Sequence, residues 1–486
     1  MREIGILMHI SSLPSEYGIG SLGKCAFDFI DFLRKSGVTR WQVLPIGPTG
    51  YGNSPYQPTS SFAGNPYFID LEILNKSKLL TDDELKSAQY SCSTVDYNRL
   101  YVTRLDLLRH AFNRFEPDDE YNRFCESNSH WLNDFADYTA IKLHQNNAAW
   151  QDWENNRLRM HNADSIKVFE LQHKEEIDFY KFLQYEFYIQ WKALREYANS
   201  NGVRIIGDIP IYVSADSSDV WSNSSEFQLD QNHKPKSVAG VPPDYFSPTG
   251  QLWGNPLYNW DKMKENGYEW WIKRIRKSLE MFDTIRIDHF RGLESYWSVP
   301  AGDKTAQNGT WIKGPGISLF NVIWESIGTV DIIAEDLGTI TDEVRSLLRD
   351  SGYPGMKVLQ FAFSRGYESD YLPFHHVPNC VCYTGTHDND TLIGWLGTVS
   401  DYDKQYIFRF TRADNIKDCA EAIIDIAWAS EANLTIVPMQ DLLGLGSEAR
   451  MNTPSFPDGN WCWRMNGDYP ESLIDSIKER NETYFR

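Results

Sequence analysis

Four stretches of this chain end an apolar or β-branched run on a carboxylate: Gly207-Asp208-Ile209-Pro210, Arg286-Ile287-Asp288-His289, Ala334-Glu335-Asp336 and Thr386-His387-Asp388-Asn389-Asp390. Taken alone, such a residue usually caps the next helix or pairs with a guanidinium. Four together need another account, because clustered carboxylates repel and persist only where something positive uses them. Two uses compete: holding a divalent cation, and flanking a glycosidic bond. Strand alternation places Arg286 and Asp288 on one face, so a fixed cation lies one pleat below the carboxylate. That opposes a metal, and it is expected to hold Asp288 ionised with a lowered pKa, as a nucleophile needs. Glu335 follows Ile332-Ile333-Ala334, which offers no charge partner, so a raised pKa suited to a proton donor is expected. The pair fits a retaining glycosidase, in which one carboxylate attacks the anomeric carbon and the other protonates the leaving oxygen. Neither a metal nor a cofactor is expected.

Aromatic residues make up 14% of the chain, and Tyr51, Tyr56, Tyr245, Phe246, Trp253, Tyr258, Trp260, Trp461 and Trp463 fall in loop-like segments. Any one of them is readily explained as core. Clustered around an acidic mouth, their faces suit the apolar faces of glucose rings while carboxylates and amides bind the hydroxyls.

Something must bring these strand ends together. Short apolar runs at residues 4–9, 41–46, 203–210, 284–288, 331–335, 357–363, 381–387 and 434–440 alternate with helical patterns, among them 26–35, 178–199, 268–281, 342–350 and 420–430. Eight strands alternating with helices predict a (β/α)8 TIM barrel, whose catalytic groups stand at the C-terminal strand ends. An open doubly wound sheet is disfavoured, because Ser11-Ser12-Leu13-Pro14 stands where a Gly-rich phosphate turn would follow the first strand. The expected organisation is one barrel domain over 1–486. A mainly helical subdomain (47–175) is inserted between the second and third strands, and an aperiodic loop region (214–260) covers the site. Too little chain follows residue 440 for a separate C-terminal β-sandwich.

Composition narrows the partners. With 47 Lys and Arg against 67 Asp and Glu, the 486 residues carry a formal net charge of −20. No basic run appears, which argues against nucleic acid. No segment reaches the roughly 20 apolar residues of a bilayer span, and no secretion signal is visible. Seven cysteines without a CxxC pair fit reduced thiols and a cytoplasmic location. No obligate protein partner is implied.

The motifs resemble those of glycoside hydrolase family 77, the 4-alpha-glucanotransferases or amylomaltases. The matching runs include Gln42-Val43-Leu44-Pro45-Ile46-Gly47-Pro48-Thr49-Gly50-Tyr51-Gly52, Ser54-Pro55-Tyr56-Gln57, Gly207-Asp208-Ile209-Pro210-Ile211 and Gly240-Val241-Pro242-Pro243-Asp244-Tyr245-Phe246. Leu252-Trp253-Gly254-Asn255-Pro256, Arg286-Ile287-Asp288-His289-Phe290-Arg291-Gly292, Ala334-Glu335-Asp336-Leu337-Gly338 and Gly385-Thr386-His387-Asp388-Asn389-Asp390 follow in the same order. The resemblance implies Asp288 as nucleophile, Glu335 as general acid/base and Asp388 as transition-state stabiliser. By the same resemblance Arg286 and His387 support the subsite before the scissile bond, and Asp208 is a further active-site acid. Tyr56, Tyr245, Trp253, Asn255 and Asn460 line the substrate cleft, and Tyr51 marks a secondary glucan site. One departure lies in the run 451–461, where Ser455 stands in place of a common Gly. The implied activity is transfer of α-1,4-glucan segments among maltooligosaccharides. A retaining α-glucan hydrolase and a catalytically silent glucan-binding protein are the alternatives.

Overall fold

The computed structural model describes residues 2–486 apart from 91, 244–246, 365–367 and 457, and for Tyr51 the backbone only. Its strands are β1 (Glu3–Leu7), β2 (Arg40–Gln42), β3 (Arg204–Pro210), β4 (Ser237–Val241), β5 (Gln251–Pro256) and β6 (Thr284–Asp288). They continue with β7 (Ser295–Pro300), β8 (Thr310–Lys313), β9 (Ile332–Ala334), β10 (Gly355–Val358), β11 (Cys380–Tyr383) and β12 (Leu434–Pro438). Eight of these close a barrel in the order β1-β12-β11-β10-β9-β6-β3-β2. Every pairing in the barrel is parallel. Helices on the outside make the crossovers, as parallel strands require.

The barrel strands are the eight expected from the sequence, with shorter ends. The apolar run 357–363 is strand only to Val358 and then turns as a 3-10 helix, Leu359–Phe361. Likewise the run 41–46 keeps its ladder only to Gln42, although Val43, Leu44 and Ile46 stay buried. Burial continues past the last ladder bond at the barrel mouth, and apolarity alone does not mark where pairing stops.

Local sequence explains the outer layer. The helix Lys24–Ser36 buries Ala26, Phe29, Ile30 and Leu33 at three- and four-residue spacing. It ends at Gly37, whose φ of 74° lets its N–H reach the carbonyls of Leu33 and Arg34. Gly207 serves close approach instead: a Cβ there would lie 2.2 Å from the Phe282 ring.

Between β2 and β3 the described residues form helices, turns and a few isolated β-bridges, the helices including Tyr97–Phe112, Asp119–Ser127, Ser129–His144 and Ala163–Gln172. They rest on the helix Lys174–Ser200, whose 27 residues reach about 40 Å at 1.5 Å per residue. The stretch 214–260 differs from the aperiodic loop expected of it. It contains β4 and β5, which join β7 and β8 in an antiparallel sheet of order β5-β4-β7-β8. These strands are short, half exposed and interrupted by a register shift between Val238 and Gly240, so no clean alternation marks them. After β12 the described residues hold short turns and the helix Glu471–Tyr484, which packs on the helix Lys24–Ser36, and no β-sandwich follows.

One buried acid makes this core pH-sensitive. Glu186, in the helix Lys174–Ser200, is 4% exposed, and its one hydrogen-bond donor is Gln190 Nε2 at 3.4 Å. Burial pushes its carboxyl up to about 7. A raised carboxyl pKa means stability that is complete below the unfolded value and is lost as pH rises through the folded one. Glu186→Gln should therefore match the parent at about pH 5 and exceed it at about pH 8 by up to roughly 3 kcal/mol. Denaturant melts at the two pH values test this, and an equal difference at both would refute it.

Candidate active site

The strand register assembles the rim. Asp208 of β3 pairs with Arg286 of β6, and Pro210 with Asp288. Ile287 pairs with Ala334 of β9, which makes Asp288 and Glu335 the next residues on adjacent strands. Arg286 Nη1 donates to both oxygens of Asp208 at 2.7 Å, and Nη2 lies 3.1 Å from Asp288 Oδ1. The guanidinium is 4% exposed, whereas the Asp288 side chain is 28% exposed at the mouth. Arg286 thus lies beneath the carboxylate, as the alternation predicts.

Glu335 is oriented by the backbone. Its Oε2 accepts the N–H of His289 at 2.6 Å, and its Oε1 accepts that of Leu337 at 2.8 Å. His289 makes its bond by turning left-handed, with φ 52° immediately after Asp288. Such a φ is uncommon outside glycine and costs roughly 1 kcal/mol, a form of strain found at functional sites.

The expected lowering of the Asp288 pKa does not hold. Burial pushes its carboxyl well above the usual range, and Arg286, pulling downward, does not overcome it. The reason is that one guanidinium serves two carboxylates, while the charges of Glu335, Asp208 and Asp388 add to the upward push. Glu335 is also raised by burial, against the downward pull of Arg286 and the two N–H donors. Burial thus disfavours charge on both of these neighbouring acids.

A second group of side chains braces the rim. The Tyr56 hydroxyl donates to Asp208 Oδ2 at 2.8 Å and meets His387 Nδ1 at 3.2 Å, with the two rings stacked at 4.7 Å. Burial raises the tyrosine pKa and lowers that of His387, so both stay neutral. Next to His387, Asp388 is 48% exposed and accepts from Asn452 Nδ2 at 2.6 Å. Its carbonyl is held by Arg450 Nη2 at 2.7 Å.

The remaining expected residues divide. Trp253, on β5, meets the His289 ring edge-on at 4.8 Å, so the grafted sheet reaches the residue beside Asp288. Asn255 exchanges amide hydrogen bonds with Gln57 and donates to the Val213 carbonyl at 2.8 Å. Asn460 binds its own loop, accepting from Thr453 N and donating to the Phe456 carbonyl. In that loop Ser455 takes φ 69°, in the left-handed region that glycine adopts most readily. Tyr245 and Phe246 lie outside the described residues, as does the side chain of Tyr51. Sequence reasoning gave no role to His289, Gln57, Arg450 or Asn452. The run 451–461, which contains Asn452 and begins just after Arg450, drew notice only for Ser455.

The glycoside hydrolase family 77 model, 4-alpha-glucanotransferase, matches residues 8–470. The 4-alpha-glucanotransferase of Clostridium butyricum is 46% identical over 486 residues, covering 99% of this chain and 100% of that protein. The Thermus thermophilus 4-alpha-glucanotransferase is 45% identical, covering 96% and 95%. Among solved structures, the amylomaltase of Streptococcus agalactiae in complex with acarbose superposes with a TM-score of 0.97 at 38% identity, covering all of both chains.

The buried cation gives a stability test. Arg286→Met leaves Asp208 and Asp288 without their counter-charge, which should cost about 3–5 kcal/mol at neutral pH. The loss should shrink in acid, where Asp288, whose carboxyl burial already pushes up, becomes neutral, and Asp208→Asn should recover part of it. Melting curves across pH check this. A loss independent of pH would show that Arg286 matters through packing alone.

Proposed function

Because the chain belongs to glycoside hydrolase family 77, the 4-alpha-glucanotransferases, we propose how its residues divide the reaction. The activity is transfer of a segment of a 1,4-alpha-glucan to the 4-hydroxyl of another glucan or glucose. Asp288 is assigned as nucleophile, Glu335 as general acid/base and Asp388 as the group that binds sugar hydroxyls in the transition state. The observation that carries the assignment is the β6–β9 register. It puts the two carboxyl-bearing residues side by side at the ends of adjacent strands, the neighbouring pair that a retaining mechanism uses as nucleophile and acid/base.

In the first step an Asp288 oxygen attacks the anomeric carbon, and the bond to the leaving glycosidic oxygen breaks as Glu335 gives that oxygen its proton. Arg286 pulls both carboxyls toward ionisation and holds an Asp288 oxygen by its ion pair, and Glu335 is the group assigned to carry the proton. In the second step ionised Glu335 takes the proton of the acceptor 4-hydroxyl, the new glycosidic bond forms, and Asp288 leaves as carboxylate. His387, Tyr56 and Asp208 then bind or brace the sugar on the donor side. Trp253 and Asn255 form the cover, Tyr245 is assigned to substrate binding by the family resemblance alone, and Tyr51 and Asn460 are assigned to outer glucan contacts. The acarbose complex of the Streptococcus agalactiae amylomaltase supports maltooligosaccharides as ligands of this cleft.

Residues 47–175 are assigned as an inserted subdomain and 214–260 as the site's cover within one catalytic barrel. The seven cysteines are free, which suits a reducing, cytoplasmic compartment. Among the described residues no helix is long and apolar enough to cross a membrane. No metal, cofactor, nucleic acid or obligate protein partner enters the reading.

Glu335→Gln should slow glucan cleavage by about 10²–10⁴-fold yet still react with an α-glucosyl fluoride, whose leaving group needs no proton. The ester on Asp288 should then accumulate, visible as a glucosyl mass increment that Asp288→Asn abolishes. No adduct on a folded Glu335→Gln protein would displace Glu335 from its role.

Transfer and hydrolysis separate on product balance. Maltotriose should give glucose and a ladder of longer α-1,4 oligomers, with total reducing ends nearly constant. Trp253→Ala should raise the hydrolytic share, because stacking that holds the acceptor and excludes water is lost. Reducing ends that climb in step with cleavage by the wild-type enzyme would mark a hydrolase.

A further inference from the structure

The Tyr56 hydroxyl has one proton and two claimants, Asp208 Oδ2 at 2.8 Å and His387 Nδ1 at 3.2 Å. Asp208 takes an Arg286 N–H at 2.7 Å on each of its oxygens, so it acts as an acceptor toward the tyrosine as well. Two oxygens 2.8 Å apart need a hydrogen between them, and here only Tyr56 can supply it. With its proton committed, the Tyr56 oxygen can only accept, and the hydrogen between it and the imidazole must come from Nδ1. The opposite tautomer would set the lone pairs of Tyr56 and Nδ1 against each other at 3.2 Å.

Burial opposes a second proton on the ring, so Nε2 is bare. Among the described residues the polar atom in its reach is Asp388 Oδ1 at 3.4 Å, itself an acceptor that already receives Asn452 Nδ2 at 2.6 Å. Two acceptors thus face each other with no hydrogen between them, an arrangement that costs free energy until a donor arrives. The Asp388 side chain is 48% exposed, which puts this edge at the barrel mouth, within reach of a ligand.

We propose that Tyr56 is a positioning residue for His387: tied to Asp208, its hydroxyl locks the imidazole as the Nδ1–H tautomer, and the edge shared by Nε2 and Asp388 therefore selects sugar hydroxyls that donate. The sugar part rests on the glucan reading above, in which the donor ring lies against Asp388. Two acceptors side by side call for two neighbouring free hydroxyls, and an inner unit of a 1,4-glucan has one such pair, at carbons 2 and 3.

Neutron diffraction from deuterium-exchanged crystals of the wild-type protein tests the tautomer. Deuterium is expected on His387 Nδ1 and not on Nε2, with that of Tyr56 directed at Asp208. Tyr56→Phe tests the selection. It keeps the aromatic ring beside His387 but removes the oxygen, which frees the imidazole to move its proton to Nε2 and meet Asp388. The substrates are α-glucosyl fluoride and its 2-deoxy and 3-deoxy analogues. On at least one analogue the wild type should lose about tenfold or more in kcat/KM, because an acceptor is left unpaired. In Tyr56→Phe the same loss should be several-fold smaller. Comparing the two enzymes cancels the effect of the missing hydroxyl on the chemistry itself. A packing role for Tyr56 would lower all rates alike, and equal deoxy losses in both folded enzymes would overturn the proposal, as would deuterium on Nε2 in the neutron map. If Tyr56→Phe does not fold, the neutron map alone decides. Failure of the glucan reading would look different, with no turnover of the fluoride by the wild type while deuterium still sat on Nδ1.

Discussion

The rim of this barrel depends on one buried guanidinium. Arg286 lies under the mouth with almost no access to water, a placement whose desolvation cost is offset only if its donors all meet acceptors. Asp208 on β3 and Asp288 on its own strand supply them. A slip of either strand by one residue would turn the arginine or its partner out of the interior, so the charge also fixes register. Further elements join through Asp208. Tyr56 reaches it from the segment after β2, and His387, stacked on Tyr56, brings the segment after β11. One cation thereby sets the relative position of four stretches far apart in the chain.

The backbone does for Glu335 what Arg286 does for Asp288. At His289 the chain leaves β6 in a left-handed turn, and the amide so exposed points at Glu335. The next amide, of Phe290, bonds the Glu335 carbonyl at 3.1 Å, and the amide of Glu335 bonds the carbonyl of Ile287. The segment around Asp288 and Glu335 are therefore joined by three hydrogen bonds of the backbone as well as by register. A side chain held this way keeps its geometry while its charge changes, which a residue alternating between acid and base requires.

Much of this arrangement is visible in the sequence, and the boundary of what is visible has a physical cause. The barrel strands show because each is a short apolar run ended by Gly, Pro or polar residues, and the acids show because they interrupt those runs at the C-terminal ends. Arg286 and Asp288 share a face by period-two alternation alone. The antiparallel sheet does not show, since β4 and β5 carry glycines, a register shift and half-exposed faces where a regular strand would alternate. The Asp288 pKa is misread for a related reason. Spacing reveals that a cation is near, but not that Asp208, distant in sequence, already holds it. Asn452 and Arg450 brace Asp388 through a loop closed by tertiary contacts, and no periodicity announces such contacts.

The catalytic rim by itself does not distinguish a sugar hydroxyl from water. In the roles proposed for them, Glu335 would deprotonate either, Asp288 would leave equally well in both cases, and Arg286 would stabilise the same charge. What separates transfer from hydrolysis must therefore be shape, meaning surfaces that orient a bulky acceptor and leave no room for an ordered water at the ester. The barrel strands, committed to holding the carboxyls, supply little such surface. It comes from segments grafted onto the barrel, chiefly the sheet that brings Trp253 onto His289 and the amide pair of Gln57 and Asn255 that ties this sheet to the strip carrying Tyr56. These grafts touch the rim at the residue next to the nucleophile. A change in the cover is thus felt at His289, and through its amide at Glu335, without any change in the carboxylates themselves.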